Sequence, residues 1–197
     1  VLWFAISMID YIFRKKWPQL QPQHRATIRE FLFQFLRARH YHVPDYVSNS
    51  LGNLIVRIAI RDWPHEDSNF LSKLLDTLKD QTTCKTGLLL IRQMADEFEP
   101  SSIKLLPEEK DRAVLNIKKN LPLVLNTLRG FLEHQFTFVK DGEFSSEAAQ
   151  DHSLLALEAL LQFLGWIPMN EVLNPTLMDV LFKYIHLHND ETSLVAF

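Results

Sequence analysis

Glycine is scarce in this chain, 5 among 197 residues, and cysteine is nearly absent, with Cys84 alone. So few glycines leave little room for the tight turns of a many-stranded β sandwich, and the 32 leucines far outnumber valine and threonine. One cysteine excludes an intrachain disulfide and most thiolate metal sites, and it suits a reducing cytoplasm or nucleus. No GxxxxGK[ST], GxGxxG or HExxH occurs, which removes the phosphate-cradling loops and the zinc-protease helix. Long apolar runs are missing too. Val1 to Ile9 is interrupted by Ser7, ended by Asp10 and too short to span a bilayer, so no membrane insertion is expected. It has no basic residues before it and no small-residue cleavage site after it, which argues against a signal peptide. The far end, Leu194-Val195-Ala196-Phe197, is apolar and uncapped. Both ends read as cuts in a longer protein.

What is present is apolar and helical. Hydrophobic residues make up 47% of the chain, enough for a continuous core, so intrinsic disorder is excluded for most of it. The net charge of −3 divides unevenly: residues 1–61 carry +6 and residues 62–197 carry −9. Such a split offers partners two electrostatically different surfaces, or it reflects unevenly charged solvated helix faces.

Apolar stripes at spacings of three and four recur along the chain. One runs Ile28, Phe31, Leu32, Phe35, Leu36, and another Val47, Leu51, Leu54, Ile55, Ile58. Phe70 to Leu78, Leu88 to Phe98 and Ile117 to Leu132 follow in the same pattern. Leu154, Leu157, Leu161, Leu164 and then Leu177, Val180, Leu181, Tyr184, Ile185 complete the series. The spacing predicts helices over 2–16, 22–39, 45–61, 68–79, 85–98, 107–139, 147–164 and 175–188. Asn174-Pro175 and Pro107-Glu108-Glu109 supply helix-start chemistry, and Pro22 and Pro44 open the second and third helices. Pro122 predicts a kink in the sixth.

The helices pair with a rough period, at about 1–40, 44–80, 84–140 and 146–188. Intervals of about 40 to 45 residues are those of HEAT or armadillo repeats. Trp17-Pro18, Trp63-Pro64 and Trp166-Ile167-Pro168 punctuate first helices, where tryptophan can cover one pair's end against its neighbour. The expectation is an all-α protein, a right-handed α-solenoid of HEAT-type helix pairs cut from a longer superhelix. A compact helical bundle is the alternative.

Candidate chemistry is thin, and no catalytic residue, cofactor or metal site is expected. His186 and His188 are two apart on a helix and point about 200° apart, so they cannot share a metal. His40 and His42 are expected to help cap carbonyls at the end of the second helix. Cys84 reads as a small residue opening the fifth helix, and Asp96-Glu97-Phe98-Glu99 as a solvated edge. The basic residues of the first pair lack exposed aromatics beside them, since Phe31 and Phe35 fall on the core stripe, which weighs against nucleic acid.

Residues 50–64 end in Arg61-Asp62-Trp63-Pro64 and resemble exportins of the importin-β superfamily, which carry an [RK]-[DE]-W-P turn in an early HEAT repeat. Thr86 to Phe98 resembles the next first helix of those proteins, and Leu157 to Pro168 a later repeat with its W-I-P turn. The Thr86-Gly87-Leu88-Leu89-Leu90 stretch resembles the branch whose cargo is profilin-bound actin. The resemblance implies an N-terminal stretch of the superhelix, beginning in about the second repeat. It implies binding of the GTP-loaded Ran GTPase through the second helix of each pair, protein cargo, and nucleoporins as partners of the full-length receptor. It further implies shuttling between nucleus and cytoplasm. Carried onto this chain, the contact positions to try first are Arg25, Arg29, Lys73 and Lys119, expected on exposed faces. A HEAT-type scaffold or adaptor that never meets Ran is the competing reading.

Overall fold

The computed structural model describes residues 2–63, 65, 67, 69–99, 107–140, 146–169 and 174–194. Their regular structure is helical, with no strand among them: α1 (Leu2–Lys16), α2 (Pro22–Arg39), α3 (Asp45–Asp62), α4 (Phe70–Asp76), α5 (Cys84–Glu97), α6 (Pro107–Lys140), α7 (Ser146–Leu164) and α8 (Pro175–Leu194). The all-α expectation holds. Pro64 and the loop at 141–145 lie outside the described residues.

The punctuation works as its chemistry demands. Asn174 accepts the backbone N–H of Thr176 at 3.0 Å, with Pro175 in the first position of α8. The Pro44 carbonyl accepts the N–H groups of Val47 and Ser48 at 2.9 and 3.2 Å, which starts α3. α4 is shorter than its apolar run suggests. The Thr77 hydroxyl donates to the Leu74 carbonyl at 2.6 Å, and the chain tightens into a 3₁₀ turn over Thr77–Lys79. α6 continues through Pro122, which is exposed.

The chain divides into two compact units, residues 1–117 and 118–197. In the first, α3 packs on α1, α2 and α5, and α5 also on α4. Polar contacts between successive pairs recur at nearly one sequence separation. Trp17 reaches Asp62, 45 residues on, and Asp10 accepts from Arg57, 47 on. Glu30 meets Lys73 at 43, Asn49 meets Gln93 at 44 and His40 meets Thr86 at 46. Stacked copies of one helix pair place equivalent positions together at a separation of one period. That recurrence is the HEAT-type stack seen from its contacts.

Two of the five glycines sit where this stacking is close. A Cβ on Gly52 would strike the Gln93 side chain, and one on Gly87 would strike Thr77 and Leu78. α5 therefore comes within backbone range of α3 and of the turn after α4.

Two predicted stripes are corrected. In α2 the buried face is Leu32, Phe33 and Leu36, while Phe31, expected inside, is 61% exposed. In α7 the leucines Leu154 and Leu161 are exposed, and Ser153, Ala156, Leu160 and Phe163 are buried instead. In the second unit the Tyr184 hydroxyl donates to the Leu132 carbonyl and meets the Ser153 hydroxyl, both at 2.9 Å, tying α8 to α6 and α7.

Candidate functional site

The tryptophan turns build a buried knot beside a concavity of the first unit. Trp17 is fully buried, and its indole N–H donates to both oxygens of Asp62 at 3.0 and 3.1 Å. Arg29 of α2 donates to the same carboxylate at 2.6 Å. Asp62 immediately precedes Trp63, so the aromatic of one turn is pinned by the acid of the next. Trp63 in turn meets Phe98, beyond α5, edge-on at 6.1 Å. This fills in what the Asp of the Arg61-Asp62-Trp63 turn is for: it joins successive pairs at their ends.

Next to the knot, α2, α3 and α4 line a small cleft open to solvent. Leu32, Phe33, Ile55, Ile58, Ala59 and Phe70 form its apolar lining. Arg29, Glu30, Asp67 and Lys73 supply the polar groups. Across it, Lys73 and Glu30 pair at 2.7 Å with 42% and 49% of their side chains exposed. That contact, with a hydrogen bond from Gln34, holds the Glu30 carboxyl below its usual range.

Arg29 and Lys73, two of the four expected contact positions, are thus brought to one cleft. Arg25 stands one helical turn before Arg29 and is half-buried, and Lys119 is exposed in the second unit. Arg29 departs from the exposed position expected of it. Only 11% of its side chain is accessible, because two carboxylates draw it inward, Asp62 at 2.6 Å and Asp67 at 3.7 Å. Sequence reasoning passed over Asp62, Asp67 and Glu30, although Asp62 lies inside a motif it had singled out.

The remaining candidates do structural work. His40 is buried, and its Nδ1 sits 3.2 Å from the Thr86 hydroxyl, so it joins two pairs where carbonyl capping was expected. The Cys84 thiol is buried and pushed up to about 11, chiefly by burial, which disfavours a thiolate nucleophile. Among the described residues no group of three or more His, Cys, Asp or Glu side chains could hold a metal, and no helix is long and apolar enough to cross a membrane. The cleft offers binding, with an apolar lining and charged edges.

Residues 44–197 match the family model described as Exportin 1-like protein. The chain belongs to that exportin family. Exportin-6-A of Xenopus laevis is 23% identical over 227 residues, covering 98% of this chain and 20% of that protein. Exportin-6 of Homo sapiens is 23% identical, covering 93% of the chain and 19% of its own length. Exportin-1 of Schizosaccharomyces pombe is 22% identical over 187 residues, with 91% and 16% covered. The chain therefore spans about a fifth of the curated relatives it matches. The family supplies a frame for the stacked pairs: HEAT-type helical repeats, with exportin-6 among the relatives.

Proposed function

We propose that this chain is a stretch of a nuclear export receptor that binds GTP-loaded Ran and takes part in carrying protein cargo, profilin-bound actin being the cargo its exportin-6 relatedness favours, from nucleus to cytoplasm. The match of residues 44–197 to the exportin 1-like family carries the reading. In it, residues 1–197 form one run of HEAT-type pairs in an N-terminal arch. Nucleoporins meet the full-length receptor as it shuttles between the two compartments. Ran contacts the second helices of the pairs, with Arg25, Arg29, Lys73 and Lys119 as the positions to substitute first. Arg29 acts by holding the α2 face in place, since its own charge is turned toward Asp62 and Asp67.

The mechanism is thermodynamic and involves no bond chemistry. Ran and cargo each favour one state of the receptor, so each raises the other's affinity by the same factor, on the order of 5- to 150-fold for typical coupling energies. Ran loaded with a non-hydrolysable GTP analogue or with GDP, presented to the full-length protein, separates the readings. Preference for the GTP form is expected. Equal retention of both, or of neither, returns the chain to the class of HEAT scaffolds that never meet Ran.

A further inference from the structure

The ends of α1 and α3 carry more positive charge than the two helices neutralise between them. α1 closes on Arg14, Lys15 and Lys16, and the end of α3 holds Arg57 and Arg61. Against these five cations the helices set Asp10, Asp45 and Asp62. Asp45 stands at the opposite end of α3, and Asp62 is buried and taken by Trp17 and Arg29. Asp10 is shared. Its Oδ2 accepts from Arg14 Nε at 2.6 Å and its Oδ1 from Arg57 Nη1 at 2.8 Å. Arg57 also lies 5.5 Å from the Phe13 ring centroid, so its guanidinium is held from two sides. Arg14 keeps 59% of its side chain in solvent and Arg57 28%, while Lys15 and Lys16 are exposed.

The cations follow the stack. Lys15 and Arg61 each stand two residues before the tryptophan of their turn, Trp17 or Trp63, so they are equivalent positions of successive pairs. α1 packs on α3, and packed helix axes lie about 8–10 Å apart. The third pair breaks the row, since α5 ends on Asp96 and Glu97 with no basic residue in its last turn.

We propose that the edge formed by the ends of α1 and α3 docks a short acidic segment of a partner protein. Its carboxylates pair with Arg14 and Arg57, which the shared Asp10 holds together, and with Lys15 and Arg61. Acids at every second or third residue of an extended segment recur at about 7–10 Å, close to the step between the helices. Asp96 and Glu97 repel a segment that continues to the third pair, so the footprint stays short. Nucleic acid fits less well. A protein engaging about six to ten phosphates needs more cations than the five gathered here. The edge belongs to first helices and the Ran positions proposed above to second helices, so neither reading depends on the other.

The test uses the full-length protein and two fluorescein-labelled peptides, Gly-Glu-Glu repeated three times and its counterpart with glutamine for glutamate. Binding is read by anisotropy at about 50 and about 200 mM salt. The glutamate peptide is expected to bind about tenfold tighter than the glutamine peptide, with a smaller margin at the higher salt. Arg14→Gln combined with Arg61→Gln should remove most of that margin. Lys79→Gln, at an exposed cation in the turn after α4, should leave it. Asp10→Asn should raise glutamate-peptide affinity by releasing both guanidiniums. Equal binding of the two peptides, a margin that survives the double change, or an Asp10→Asn variant that binds no tighter overturns the proposal. So does a labelled single strand of about twenty nucleotides that loses more affinity through the double change than the peptide does, since the edge is then a nucleic-acid surface.

Discussion

At Asp62 a carboxylate with 2% of its side chain exposed takes hydrogen bonds from an indole and a guanidinium. Removing one member of such a buried set strands the others, which costs more than the set contributes over an apolar replacement. Asp62→Ala is expected to destabilise the chain by about 3–5 kcal/mol. The double change Arg29→Met with Asp62→Leu should cost less than the sum of its single changes, read from urea midpoints in a double-mutant cycle. His40 gives a second prediction at this scale. Burial, then the Lys85 ammonium, pulls its imidazole below the ordinary 6.5, while Asp45 pushes the other way. On acidification the unfolded chain therefore takes up the proton first. The contribution is whole above 6.5 and is lost as pH falls through the folded-state value. His40→Gln should flatten that part of the pH profile in denaturation midpoints compared between about pH 7.5 and about pH 5.

At the scale of the element, α7 shows which apolar stripe a helix uses when it has more than one. Residues 153–164 are apolar at most positions, so both the Leu154/Leu161 set and the Ala156/Leu160/Phe163 set satisfy helical spacing. The structure buries the second, together with the small residues Ser153 and Ala159. Leu161→Lys is accordingly expected to change stability by no more than about 0.5 kcal/mol. Ala156→Leu should cost about 1–3 kcal/mol through overpacking, measured by the same denaturation. Equal losses at both positions would place the wrong face inside. α2 carries the same lesson at Phe31 and Phe33, one exposed and one buried within a single turn.

At the scale of the whole molecule, the uneven charge of the chain is partly spent inside it. Arg29 and Arg57, two of the positive charges in residues 1–61, are paired with Asp62 and Asp10 across stacked helix pairs. The apolar surface left outside is more telling. Trp3, Phe4, Met8 and Tyr11 of α1 are each more than half exposed, with Phe4 at 65%. Exposed clusters of this kind drive association. The 197-residue chain on its own should self-associate, and Phe4→Glu with Met8→Glu should restore a monomer in light scattering. A monodisperse parent chain at high concentration would contradict this.

Helix existence, type and most boundaries were legible in the sequence because period, proline and capping residues act locally. Stacking in the first unit was legible too, since a period near 45 residues and the turns at Trp17 and Trp63 are properties of the order of residues. Family membership followed from Arg61-Asp62-Trp63-Pro64 and its successors for the same reason. Which of two apolar stripes α7 buries was settled only in the folded chain, with Ala156, Leu160 and Phe163 inside and Leu154 and Leu161 exposed. Arg29 looked like a solvent-facing cation on α2 until Asp62 and Asp67, 33 and 38 residues further on, were brought against it. The cleft likewise exists only where three helices meet. One-dimensional order determined the helices of this protein and the period at which the first unit stacks. Charge pairing and the choice of buried face were left to the tertiary structure, because both depend on distances between residues that the chain order holds far apart.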